Sequence, residues 1–187
     1  MEPTPARGAV ARPMKLVALA GLPGTGKSTL ARALAAHLGA PLLDKDRVRA
    51  ALFAPGEIEH SRRQDDLVVD CLVRVAAFHA ERGAAAVVLD GRTFSRRDQI
   101  DALRAAARRM GAELVLIECT AAPEVARARL ERDRASGAHP ASDRGPELYE
   151  RLRASAERIE EPTLLLCTDE ASPDELAARV LARIAAS

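Results

Sequence analysis

The sequence predicts an α/β protein of three layers, a five-stranded parallel sheet with helices packed on both faces. Three observations carry that expectation. Five short apolar segments recur along the 187 residues, and helical periodicities separate them. The segments are apolar throughout rather than alternating, the mark of strands buried on both faces. The length also falls within the range of about 100–200 residues usual for one domain.

Taken in order, Lys15–Ala20 is an apolar run ending at Gly21, a buried strand. Ser28–Leu38 carries Leu30, Leu34 and Leu38 at helical spacing and stops at Gly39. Pro41, Leu42 and Leu43 form a brief strand that ends in charge at Asp44. Ile58–Arg82 reads as one long helix whose apolar face is Leu67, Cys71, Val75 and Phe78, closed by Gly83. Ala86–Leu89 is a strand ending at Asp90, and Arg96–Met110 a helix stopped by Gly111. A strand over Leu114–Cys119 leads to an Arg-studded helix at Pro123–Arg134. A loop rich in Gly, Pro, Ser and Asp spans Ser136–Pro146, then Glu147–Ile159 is helical and Leu164–Cys167 is a strand. The last helix, Pro173–Ile184, starts at the capping residue Ser172.

In sheets of this type ligands sit beyond the carboxyl ends of the strands. That singles out Gly21–Ser28, Asp44–Arg49, Asp90–Arg97 and Thr120. Gly21 to Ser28 reads Gly-Leu-Pro-Gly-Thr-Gly-Lys-Ser, matching G-x-x-x-x-G-K-[ST] at every fixed position, with a strand before it and a helix after it. Glycines let the backbone turn tightly and aim N–H groups at anionic oxygens, and the following helix adds the positive end of its dipole. Gly21, Leu22, Pro23, Gly24, Thr25, Gly26, Lys27, Ser28 and Thr29 are therefore expected to bind the phosphates of ATP or another nucleoside triphosphate. Lys27 would reach the β- and γ-phosphates, and the Ser28 hydroxyl a Mg²⁺ ion.

The other strand ends suggest transfer of a phosphoryl group. A kinase needs a carboxylate that orients or deprotonates the attacking hydroxyl. Asp46 is the first candidate base and Asp44 the second, while Arg49 would meet the acceptor or the moving phosphoryl. Asp90 closes an apolar strand in the Walker B manner, to serve Mg²⁺ or hydrogen-bond the acceptor, and Arg96 in the next loop adds a cation on the acceptor side. Arg127, Arg129, Arg132 and Arg134 lead into the Ser136–Pro146 loop. Arginines carried by a closing lid would stabilise charge on the transferring group, with Arg129 and Arg132 the first candidates. No N-K-x-D guanine-reading motif is present, and the length leaves no room for the extra helical subdomain of ring-forming ATPases.

Composition sets the outer bounds. Lys+Arg is 28 against Asp+Glu 27, for a formal charge of +1, which argues against a nucleic-acid coat or a polybasic membrane binder. Only three of the basic residues are lysines (Lys15, Lys27 and Lys45). Cys71, Cys119 and Cys167 are far apart without a nearby His at ligand spacing, so buried free thiols are expected rather than a zinc site. Residues 1–13 read as a disordered tail and 14–187 as one domain, with no signal peptide and no membrane span, hence cytoplasmic, and with no obligate protein partner evident.

Together, Gly21–Leu30, Asp44–Arg49, Asp90–Arg97 and Arg127–Arg134, in that order, resemble the small P-loop kinases. Within them the chain is similar to the branch related to zeta toxin, gluconate kinase, chloramphenicol phosphotransferase and the kinase domain of polynucleotide 5′-hydroxyl kinases. The resemblance runs from Lys15 to Ile184 and includes the segment Ser142–Leu152. It implies a P-loop NTPase fold, ATP with Mg²⁺, a carboxylate base after the second strand and arginines in a lid. The D-x-x-R of Asp46 and Arg49 and the Asp90–Arg97 segment, which reads D-x-x-x-F-x-R-R, resemble the polynucleotide kinase pattern most, where the first Asp is the base and the Arg contacts phosphate. Scarce aromatics argue against a nucleic-acid acceptor, since single strands stack on aromatic platforms. The sequence thus points to ATP-dependent phosphorylation of a small-molecule hydroxyl, on a sugar, nucleoside or antibiotic. The alternatives are a polynucleotide 5′-hydroxyl kinase, acting on a nucleic-acid end, and a non-catalytic nucleotide-binding or toxin-like regulator.

Overall fold

In a computed structural model, residues 12–59, 61–136, 146–160 and 162–186 are described. The strands are β1 (Lys15–Ala20), β2 (Leu42–Asp44), β3 (Ala86–Asp90), β4 (Glu113–Thr120) and β5 (Leu164–Cys167). They form one all-parallel sheet in the order β2-β3-β1-β4-β5. The helices are α1 (Lys27–Leu38), α2 (Lys45–Leu52), α3 (Arg62–Glu81), α4 (Arg97–Arg109), α5 (Pro123–Ser136), α6 (Pro146–Ser155) and α7 (Pro173–Ala185). This is the three-layer P-loop fold that the alternation of apolar strands and helices predicts.

Alternate residues of β1 feed two cores. Leu16, Ala18 and Ala20 face one side with Leu72 and Ala76 of α3 and Ile100 and Leu103 of α4. Val17 and Leu19 face the other with Leu30 and Leu34 of α1 and Leu176 and Val180 of α7. Each fully buried Leu or Val contributes about 1.5–3 kcal/mol by leaving water, so the central strand is anchored from both sides. Among the described residues no helix is long and apolar enough to cross a membrane.

Several expectations need correction. The long helix starts at Arg62, after a 3₁₀ turn at Pro55–Glu57, with Ser61 capping it by accepting from the Gln64 N–H. Its buried face is Val68, Leu72 and Ala76, not Leu67, Cys71, Val75 and Phe78. Leu67, Val75 and Phe78 are 53%, 42% and 56% exposed. Both stripes have helical spacing one residue apart, and the sheet rather than residue size decides which is covered. Asp44–Arg49 is a helix start as well as a strand-end charge cluster: Asp44 caps α2, a short helix ahead of α3. The helix expected to reach Ile159 ends at Ser155, and the chain beyond it runs back to the start of α4, where Glu157 N–H donates to the Ser95 carbonyl. Of the three free thiols only Cys119 is buried, Cys71 and Cys167 being partly exposed. Residues 1–11 of the expected tail and 137–145 of the expected lid loop lie outside the described residues.

Candidate active site

Parallel pairing sets all the strand ends on one edge. Asp44 and Asp90 are register partners across β2 and β3, while Gly21 follows β1 between β3 and β4. The phosphate loop grows out of β1, and its first residue is fixed by a hydrogen bond from Gly21 N–H to the Thr93 carbonyl, 2.9 Å. Gly24 has φ +77°, and a Cβ there would lie 2.4 Å from the Ala126 carbonyl oxygen of α5. Only glycine satisfies both the left-handed backbone and that approach. Lys27 is buried, and its ammonium donates to the Leu22 carbonyl at 2.6 Å, folding back over the loop. Ser28 is half-buried and Thr29 exposed; Leu22 packs against the small core of Ala126, Leu130 and Tyr149 that joins α5 to α6. Pro23 is buried within the same loop.

Arg129 braces the loop. Its guanidinium donates to the Thr168 hydroxyl (2.9 Å), the Thr168 carbonyl (3.0 Å) and the Gly24 carbonyl (3.3 Å), and the Thr168 hydroxyl in turn donates to the Thr25 carbonyl at 2.9 Å. Arg132 is exposed beside it, and both line a cavity of about 500 Å³ with Gly24, Lys27, Thr168 and Pro173. Arg127 instead points away, donating to Glu150 of α6.

Beyond β2 and β3 lies a compact charge cluster. Asp44 Oδ1 accepts from the N–H groups of Asp46 (2.9 Å) and Arg47 (3.2 Å), so this oxygen serves the α2 cap. Asp46 is buried, with Arg49 donating to it at 3.0 Å and the Lys45 ammonium 3.6 Å away. Asp65 on α3 accepts from Lys45 at 2.9 Å and from Arg49, whose side chain is 2% exposed. Two carboxylates thus balance two cations, as buried charges require. Gly91, at φ +90°, permits the approach of α2: a Cβ there would meet Lys45 N at 3.0 Å and Lys45 Cβ at 2.9 Å.

Asp90 is 3% exposed, and its Oδ1 has no hydrogen-bond partner. A buried carboxylate oxygen without a donor is costly, and a magnesium ion or an acceptor hydroxyl would satisfy it. Arg96, expected on the acceptor side, is not brought there. It is exposed at the start of α4, with its Nε donating to Asp98 at 3.2 Å. Arg92 is the cation that turns inward: it is buried, ion-paired with Asp66 of α3, and lies 6.0 Å from the Phe94 ring centroid. Phe94 itself is held at φ +48°, an uncommon conformation for a bulky residue, next to the loop contact at Thr93. Asp65, Asp66 and Arg92 escape sequence reasoning because their pairing spans distant segments. Their one local signal is a pair of adjacent acids, Asp65 and Asp66, near the start of a helix.

A second cavity, of about 160 Å³, lies on the other side of the phosphate loop, between Leu22, Phe94, Glu118, Tyr149 and Ile159. Burial raises the Glu118 carboxyl above its ordinary value, with Arg158 partly opposing. Burial likewise pushes the Cys119 thiol up to about 12, although Lys27 pulls it down.

The fold, the phosphate loop and the strand-end carboxylates define a small P-loop kinase-type protein. The chain belongs to the family described as AAA domain, whose model matches residues 16–162. It is similar to a candidate kinase from Chloroflexus aurantiacus at 25% identity and TM-score 0.74, covering 92% of this chain and 99% of that one. It also shares its fold with an APS kinase from Mycobacterium tuberculosis, solved with AMPPNP and APS (22% identity, TM-score 0.70, 92% and 98% covered). The same holds for a gluconokinase from Sinorhizobium meliloti 1021 (20% identity, TM-score 0.66, 93% of each chain). No curated protein matches the sequence.

Proposed function

We propose that the protein is an ATP- and Mg²⁺-dependent kinase that moves the γ-phosphate to a hydroxyl group of a small molecule such as a sugar, nucleoside or antibiotic. The observation that carries this reading is the unpartnered, buried Oδ1 of Asp90, set on the sheet edge that also carries the phosphate loop and Asp46. The APS kinase structure holds an ATP analogue with its acceptor, and the gluconokinase name specifies a sugar-acid acceptor, which supports phosphotransfer but not a particular acceptor here.

In this reading Lys27 and the loop amides hold the phosphates, and the base and ribose occupy the 500 Å³ cavity bounded by Arg129, Arg132 and Pro173. The Ser28 hydroxyl and Asp90 carboxylate would hold magnesium, which usually takes only one or two protein ligands beside phosphate oxygens and water. When bound, the ion would offset the negative charge of the transferring phosphoryl. Asp46 accepts a hydrogen bond from the acceptor hydroxyl and takes its proton as the oxygen–phosphorus bond forms and the γ-phosphorus parts from the bridging oxygen of ADP, which leaves. The role is assigned to Asp46, held by Arg49, with Asp44, one oxygen of which accepts from two helix N–H groups, as the second candidate. Arg49 and Lys45, fixed by Asp65, hold Asp46 in place. Arg132 is the lid cation free to swing toward phosphate, whereas Arg129 supports the loop from behind.

The D-x-x-R pair is formed at 3.0 Å, and this keeps a polynucleotide 5′-hydroxyl as the second acceptor to try. The test is γ-labelled ATP with sugars, nucleosides, aminoglycosides and a 5′-hydroxyl oligonucleotide. Label on a small hydroxyl compound supports the proposal; label on the oligonucleotide alone favours the second reading.

A further inference from the structure

The outer face of α3 has no use in the site or the core. Arg63, Leu67, Asp70, Arg74, Phe78 and Glu81 are exposed on it, with Cys71 half-buried among them, away from the buried Val68–Leu72–Ala76 stripe. Leu67 and Phe78 are more than half exposed and Val75 is 42% exposed, an apolar load rarely left on one helix face without a partner. The spacing 67, 71, 74, 78 alternates four and three, the repeat of a helix-pairing seam.

We infer that α3 is a self-association surface, pairing antiparallel about a two-fold axis with a second copy of this chain. Charge selects this occupant. With the axis level with residue 72, Asp70 meets the partner's Arg74 and Arg63 meets the partner's Glu81, while Leu67 lies within one residue of the partner's Phe78. The two-fold repeats each contact with roles exchanged. Among the described residues Arg63, Asp70, Arg74 and Glu81 form no ion pair within the chain. A parallel pairing would set Asp66 and Asp70 against their own copies and is disfavoured. A 20-residue helix is about 30 Å long and 10 Å wide, so the paired strips bury roughly 600 Å², below the roughly 1,200 Å² of stable complexes. The dimer is therefore weak and concentration-dependent, and it leaves the phosphate-loop edge open.

The experiment is sedimentation velocity of the full chain over a concentration series, with circular dichroism confirming that each variant is folded. The wild type is expected to pass from monomer to dimer as concentration rises. Phe78→Glu should weaken association at least about tenfold, since two apolar contacts are lost and each 1.4 kcal/mol is tenfold. Asp70→Arg and Arg74→Asp should each fail to associate alone, because each sets like charges together twice. Mixed in equal amounts they should form a heterodimer, because both crossed contacts then join opposite charges. A wild type that stays monomeric at every concentration overturns the inference. So does a dimer indifferent to Phe78→Glu, or a mixture of the two charge variants that gains nothing over either alone.

Discussion

Replacing Asp65 with Ala probes the charge cluster on which the proposed acceptor side depends. Asp65 is the α3 group that neutralises Lys45 and Arg49, whose side chains are 7% and 2% exposed, and it is itself 27% exposed. Its removal leaves two buried cations sharing Asp46. Breaking a fully buried pair costs about 3–5 kcal/mol, and the partial access of water to Asp65 lowers this to roughly 2–3 kcal/mol. For a chain of this length that corresponds to a fall in Tm of roughly 5–10 °C. Urea unfolding followed by circular dichroism measures it, with an unchanged m-value showing that the unfolded state is unaltered. ATP affinity should stay near wild type, because the side-chain partners of Asp65 are Lys45 and Arg49 rather than the phosphate loop, while phosphotransfer should drop as Asp46 loses its frame. A loss of about 0.5 kcal/mol or less, the size of an exposed ion pair, would refute the reasoning.

Three further outcomes follow from individual environments. Gly24→Ala forces a Cβ to within 2.4 Å of the Ala126 carbonyl at a left-handed backbone position, so ATP binding by titration calorimetry should weaken at least about tenfold, and wild-type affinity would contradict the geometry. Glu118 has its pKa raised by burial, so its folded-state stability is greatest when it is protonated and is lost as pH rises through that raised value. Glu118→Gln should therefore raise Tm at pH 7 and have no such effect at pH 4; an equal gain at both would sink the assignment. Cys119, buried and pushed up to about 12, should resist thiol reagents at pH 8 while the partly exposed Cys71 reacts, as mass spectrometry of the folded protein would report.

How much of this was legible in the sequence depends on how local the determining interaction is. The phosphate loop is a contiguous motif whose backbone demands are met within eight residues, so Gly21–Ser28 could be read outright. Strand ends were also readable, because an apolar run stopping at Asp44 or Asp90 marks the sheet edge without any tertiary knowledge. The buried face of α3 was not, since Leu67–Phe78 and Val68–Ala76 are both periodic and only the position of the sheet separates them. Arg96 was expected on the acceptor side only because it lies in the loop that follows Asp90. The direction of each side chain, however, is fixed by Asp98 for Arg96 and by Asp66, 26 residues earlier, for Arg92. Asp65 was missed for the same reason: nothing near it in the chain announces Lys45 and Arg49.

In the proposed reaction Asp46 serves as the base of γ-phosphate transfer. Its most direct test is the turnover of Asp46→Asn against Asp44→Asn on the hydroxyl acceptor that takes label from ATP, with nucleotide affinity measured on the same samples. Asp46→Asn is expected to lose about 10²–10⁴-fold in kcat while binding ATP normally. Asp44→Asn is expected to act mainly through a weakened α2 cap, worth about 1 kcal/mol of stability. An Asp46→Asn protein that transfers phosphate at the wild-type rate, or a wild type that binds ATP yet phosphorylates no hydroxyl acceptor, would contradict the proposed role of Asp46.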